Sequence, residues 1–356
     1  MHRARFFPLV IRRVIFCVMA AASTLATGVT MAASIGGKLE LEDYGSFFVN
    51  GRSIQSNHPG ASLVTGPAGA GSITVNQMYV QYRVPAGRKN VPVVMVHGSG
   101  HTGMTYETTP DGREGWATYF LRKSFPVYVV DHAGRGRSGF NPTPVNAVGE
   151  KAAEPGTMPT LFLGTIERSW PNFRFGPKYP EAFPNVQFPM EAMAQYLAQL
   201  VPNAETTLEG GGKNTVDALV KLLEKIGPAV VMVHSQSGVY GLDVVRQRPN
   251  LVKALVSVEG GCETVSAKDM ATPFVKVPMI SVWGDNSKGA WGVNGDKRRD
   301  GCQQAVNLIN KSGGKATFML LPEHGIAGNS HMMMMDKNNL QVADIIQKWI
   351  LENASR

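Results

Sequence analysis

The sequence predicts an α/β fold, a mostly parallel central sheet flanked by helices, with a long segment inserted between two parts of the core. Three observations carry this expectation. Short continuous apolar runs such as Val91–His97, Phe125–Asp131 and Ala229–Val233 suit strands buried on both faces. Amphipathic stretches alternate with them; in Thr215–Ile226, Val216, Leu219, Leu222 and Leu223 share one helical face. The apolar runs give way to turns rich in Gly, Ser and His, the place where sheets of this class hold ligands.

Each element follows in order. Gly45–Arg52 and Ile73–Pro85 read as two early strands, then come strand Val91–His97, helix Trp116–Lys123 and strand Phe125–Asp131. Regular alternation stops there. The stretch from Phe140 to Gly212 is rich in Pro and aromatics, including Trp170, Phe173, Phe175, Tyr179, Phe183 and Phe188, and Met190–Leu200 is its one clear helix. It is too long for an ordinary loop. A cap or lid closing over a pocket is therefore expected at residues 141–212, between core parts 33–140 and 213–356. Alternation resumes with helix Thr215–Ile226, strand Ala229–Val233, helix Val239–Gln247 and strands Val252–Val258 and Val277–Trp283. Helix Arg298–Lys311, strand Ala316–Leu321 and helix Asn339–Glu352 complete the repeat.

The chain has 356 residues, 43% apolar and 17% charged, which allows a sizeable core. Its start differs from the rest. Arg3, Arg5, Arg12 and Arg13 precede an uncharged, Ala-rich run from Val14 to Ser34, and Thr30 and Ala32 offer a cleavage site. This is the layout of a secretory signal peptide, so residues 1–32 are expected to be removed on export to the periplasm or the medium. The competing reading is an uncleaved membrane anchor. Losing four arginines and no acids lowers the formal charge from +8 to +4. No Lys/Arg cluster with interleaved aromatics points to nucleic acid, and no membrane attachment is expected after cleavage. Cys17 leaves with the signal; Cys262 and Cys302 remain, an even number in an oxidising compartment, and are expected to pair.

The chemistry gathers at three turns. Strand Ala229–Val233 runs into His234-Ser235-Gln236-Ser237-Gly238 and then a helix. A serine on such a turn projects its hydroxyl clear of the sheet, and the next N–H, that of Gln236, faces a developing oxyanion. Ser235 is the expected nucleophile and Ser237 the alternative register; either choice puts a Val where Gly is usual. His97-Gly98-Ser99-Gly100 follows an earlier strand, and the N–H of Ser99 is the expected second oxyanion donor. The general base is expected near the carboxyl end, at His331 of Gly-Asn-Ser-His, with His324 as competitor. For the acid that orients it, Asp285 after one strand and Glu259 after another are equally placed by the motif logic.

These motifs, together with Thr102–Arg113, Phe120–Lys123, Gly134–Ser138, Arg174–Pro177, Ser257–Glu259 and Gly328–Met334, resemble a small group of secreted bacterial serine esterases within the α/β-hydrolase superfamily. The resemblance spans most of the chain in one order. It implies Ser235 as nucleophile, His331 as base and Glu259, the glutamate of Ser-Val-Glu, as acid. The chain departs from the group at Ser99 and Gly100, where an adjacent cysteine pair is known, and at Val233, where a small residue is known.

The expected activity is hydrolysis of a small-molecule carboxylic ester through an acyl-enzyme, with no metal or cofactor required. Aromatics of the inserted segment and the Met332–Met335 run are expected to wall the pocket, core packing being the other reading for the methionines. Lactone, amide or carbon–carbon hydrolysis would use the same scaffold. A non-catalytic exported binding protein is the reading from another class; the intact set of serine, histidine, acid and oxyanion loop argues against it.

Overall fold

In the computed structural model the continuous apolar runs lie at the centre of an eight-stranded sheet, where both faces are covered. The structure describes residues 37–354, apart from 263–264, 267–268, 270–272 and 289–294. The signal expected at residues 1–32 lies outside the described residues.

The strands are β1 (Leu41–Ser56), β2 (Gly71–Pro85), β3 (Val93–Val96), β4 (Val127–Val130), β5 (Ala229–His234), β6 (Val252–Val258), β7 (Met279–Trp283) and β8 (Ala316–Leu320). Their order across the sheet is β1-β2-β4-β3-β5-β6-β7-β8. β1 and β2 form a long hairpin, β2 meets β4 antiparallel, and every later pairing is parallel. The helices are α1 (Trp116–Arg122), α2 (Thr143–Gly149), α3 (Ile166–Asn172), α4 (Met193–Ala198), α5 (Gly211–Ile226), α6 (Ser237–Gln247), α7 (Pro273–Lys276), α8 (Asp296–Lys311) and α9 (Asn339–Asn353).

Strand periodicity of two divides the core. Val93, Met95, Val230 and Met232 face one layer, with Trp116 and Phe120 of α1 and Ile346 and Trp349 of α9. Val94, Val96, Val231 and Val233 face the other, with Leu219 and Leu222 of α5, Val244 of α6 and Ile309 of α8. Each such side chain, removed from water, contributes about 1.5–3 kcal/mol. Met332–Met335 are fully buried in the first layer, so that run is core packing.

Several bounds differ from the sequence expectation, among them the first strand, which runs Leu41–Ser56 and not Gly45–Arg52, and two differences bear on the site. α6 begins at Ser237 and not Val239, because the chain passes from β5 into the helix with only two intervening residues. The inserted stretch carries α2 and α3 as well as α4, and the helix expected at Met190–Leu200 is a 3-10 turn at Met190–Ala192 followed by α4. α2 and α3 are seven residues each and contain Pro144 and Pro171, too short and too interrupted to display a 3.6-residue period. Cys262 and Cys302 are bridged with their Cα atoms 4.7 Å apart, tying the turn after β6 to α8. Such a link typically contributes about 2–4 kcal/mol.

Candidate active site

The chain passes from β5 into α6 through Ser235, which takes up the left-handed region with φ of 52°. A non-glycine residue rarely adopts this region, and such strain concentrates where a side chain must be aimed. The turn is held by its backbone: Ser235 N donates to Val258 O at 3.1 Å and Gly238 N to Ser235 O at 2.9 Å. Close packing explains its glycines. A Cβ on Gly238 would lie 2.4 Å from Gly261 N, and one on Gly98 would lie 2.8 Å from His234 Nδ1. The bulky Val233 is accommodated by Gly241 one helical turn into α6, where an added Cβ would meet Val233 Cγ1 at 3.0 Å.

The two serines of the turn have different surroundings. Ser235 Oγ lies 2.8 Å from His331 Nε2 and lines a cavity of about 430 Å³. Ser237 is fully buried, donates to His97 O and accepts from His132 Nε2 at 2.7 Å.

His331 Nδ1 donates to Glu259 Oε2 at 2.7 Å, which leaves Nε2 to accept from the Ser235 hydroxyl. Its backbone is fixed on both sides. The N–H donates to Phe173 O at 2.8 Å, and the carbonyl accepts from His234 Nε2 at 2.9 Å. The ring stacks on Phe173, with centroids 5.7 Å apart and planes 8° apart. Just below, the buried Asp336 carboxylate accepts from Ser330 N at 2.8 Å and from Ser330 Oγ at 2.7 Å, closing the loop that carries the imidazole. Burial pushes Asp336 up to about 7. His324 sits exposed on the 3-10 turn Leu321–His324, away from this set.

Glu259 follows β6 in a left-handed conformation with φ of 50°. Its Oε1 accepts from Gly284 N at 2.8 Å and from the guanidinium of Arg174, a residue of the inserted segment. Carboxylate and guanidinium are both fully buried. Burial alone would raise the Glu259 pKa, but the Arg174 charge and the His331 bond override it and hold it at about 2. Asp285, the other candidate, accepts from Gly328 N at 2.6 Å; it braces the histidine loop and does not meet the imidazole. Burial lowers the pKa of His331, and the bond to Glu259 opposes that effect.

Ser99 and Gln236 line the same cavity as Ser235. The loop of Ser99 is anchored by His101, whose Nδ1 donates to Ser99 O at 2.7 Å, and by Val201, whose N–H donates to Gly100 O at 2.9 Å. Among the described residues neither the Ser99 nor the Gln236 N–H donates to a protein acceptor. Gln236 caps α6, so the helix adds its positive end there. Phe162, Phe173, Leu200 and Val239 supply apolar wall to the cavity.

The geometry thus gathers Ser235, His331, Glu259, Ser99 and Gln236 at the carboxyl ends of β3, β5 and β6. Sequence reasoning assigned no role to Arg174; it expected Phe173, with the other aromatics of its segment, to wall the pocket, and did not foresee its stacking on the imidazole. The stretch Arg174–Pro177 stood out as a motif, but nothing in it discloses that its first residue neutralises a carboxylate beyond β6.

No family model matches the chain. A probable secreted lipase, phiG, of Fungal sp. (strain ATCC 74256), is 30% identical over 319 residues, covering 77% of this chain and 85% of the relative. The solved structure of a bacterial esterase superposes with a TM-score of 0.85 at 41% identity, covering 90% of this chain and 98% of that one. The chain therefore belongs to the esterase and lipase family of α/β hydrolases.

Proposed function

We propose that the protein hydrolyses carboxylic esters through an acyl-enzyme formed on Ser235. The observation that carries the reading is the unbroken line from Ser235 Oγ through His331 to Glu259, with links of 2.8 and 2.7 Å, opening on a cavity also lined by Ser99 and Gln236, whose N–H groups donate to no acceptor among the described residues. His331 Nε2 takes the serine proton as Oγ attacks the ester carbonyl. The N–H groups of Ser99 and Gln236 receive the oxyanion, and Glu259 stabilises the imidazolium. His331 then protonates the leaving alcohol. Water, deprotonated by the same imidazole, resolves the acyl-enzyme. A cavity of about 430 Å³ lies near the low end for small-molecule sites and suits compact esters better than long acyl chains.

Residues 141–212 act as the cap of this site; Phe173 against the imidazole and Arg174 against the acid support that role. Residues 1–32 direct export to the periplasm or the medium, and the chain groups with secreted bacterial serine esterases. The buried disulfide suits an oxidising compartment, and among the described residues no helix is long and apolar enough to cross a membrane.

The test is turnover of p-nitrophenyl acetate by purified protein. Ser235→Ala is expected to reduce it to the background rate while leaving the melting temperature within a few degrees. Turnover persisting in that variant would refute the assignment.

A further inference from the structure

Behind the Ser99 amide lies a buried cation for which the chemistry above has no use. Arg135 belongs to the glycine-rich turn after β4, and its side chain is 0% exposed. Its Nη1 donates to Gly98 O at 2.8 Å and, at longer range, to His101 O at 3.4 Å. Its Nη2 donates to Gln236 Oε1 at 3.1 Å and to the carboxylate of Glu205, which is also buried. His97 Nδ1 donates to Gly98 O as well, at 2.9 Å, so that carbonyl accepts two bonds. The His97 tautomer is fixed by its other nitrogen, which accepts from His132 N at 3.1 Å.

Gly98 O and Ser99 N belong to one planar peptide unit. A cation on the carbonyl end draws electron density from the amide and makes its N–H a stronger donor, as in any chain of polarised hydrogen bonds. The same guanidinium reaches the side chain of Gln236, so one rigid planar fork spans the two segments that supply the two amides. We infer that Arg135, held by Glu205, is a positioning residue for the oxyanion site: it sets the plane and polarity of the Gly98–Ser99 peptide and its spacing from Gln236. Glu205 comes from the inserted segment, as does Val201, whose N–H bonds Gly100 O at 2.9 Å. Seating of that segment and readiness of the oxyanion donors are therefore linked through two contacts. The inference rests on the reading of Ser99 and Gln236 as those donors.

Removing Arg135 alone would leave Glu205 buried and unpaired, so the informative variant removes both charges, Arg135→Met with Glu205→Gln. The single Glu205→Gln variant, which keeps the guanidinium, is measured beside it in case the pair does not fold. Two readouts apply. Steady-state kinetics on p-nitrophenyl acetate should show kcat falling by roughly ten- to a hundredfold with KM within about twofold, because a transition-state contact is weakened and ground-state binding is not. The second uses a trifluoromethyl ketone labelled with ¹³C at its carbonyl, which forms a hemiketal with Ser235. In the variant the hemiketal oxyanion should ionise about one pH unit higher or more, a tenfold loss of stabilisation that general loosening would not produce. Glu205→Gln should shift both readouts in the same direction by less. Unchanged kcat and unchanged hemiketal ionisation in a folded variant would overturn the inference while leaving the reading of the site intact. Turnover persisting in Ser235→Ala, with no hemiketal formed on the wild type, would instead overturn the reading and the inference with it.

Discussion

Replacing Arg174 by methionine removes the cation that keeps the buried Glu259 ionised, and the consequence can be worked out with its sign. Glu259 is shifted from an ordinary 4.5 to about 2. A folded-state pKa below the unfolded value means stability that is fully present above 4.5 and is lost as pH falls towards 2. The shift is equivalent to about 3 kcal/mol at neutral pH, within the roughly 3–5 kcal/mol expected for breaking a buried pair. In Arg174→Met burial acts with less opposition, so the Glu259 pKa rises. The variant then carries a penalty at pH 7 that is relieved as acid protonates the carboxyl. Its deficit relative to wild type should therefore be about 3–5 kcal/mol at pH 7 and roughly half of that at pH 4. Urea unfolding followed by fluorescence at both pH values measures it. On the proposed mechanism kcat should also fall more steeply towards acid pH than in wild type, because a protonated Glu259 would not stabilise the imidazolium, and Arg174→Lys should recover part of both. An equal deficit at pH 7 and pH 4 would refute the argument, since the loss would then come from packing and not from charge.

Further outcomes follow from the same geometry. Glu259→Gln should lower kcat by about 10³–10⁴, whereas Asp285→Asn, which touches only the histidine loop, should lower it less than about tenfold; the reverse order would exchange their roles. The proposed mechanism needs His331 neutral, and burial lowers its pKa, so kcat/KM should rise with pH through a midpoint below the ordinary 6.5, and an acid limb centred above that value in a pH–rate profile would contradict the burial argument. Gly238→Ala places a Cβ 2.4 Å from Gly261 N, so the elbow and the turn after β6 must separate. The expected loss is about 3 kcal/mol in chemical denaturation, and an alanine variant as stable as wild type would show that the two backbones are free to move apart.

The sequence alone determined the order of the elements and the residues on their local turns. Ser235, Gln236 and Ser99 were legible because a strand running into a tight turn and a helix is a short-range pattern of size and polarity, dictated by sterics within a few residues. The short helices of the inserted segment were not, because seven-residue pieces with proline carry no period. Motif logic left Glu259 and Asp285 level and the resemblance favoured Glu259; only the tertiary structure shows that Glu259, and not Asp285, meets the His331 imidazole. Both follow buried strands, and their difference lies in partners that arrive from elsewhere: Arg174, 85 residues earlier in the chain, and His331, 72 residues later, at Glu259, and Gly328 at Asp285. The buried fork of Arg135 and Glu205, 70 residues apart, belongs to the same class. Pairings of that separation leave no local trace, because their energy depends on where an inserted segment settles over the sheet and not on the neighbours of either residue.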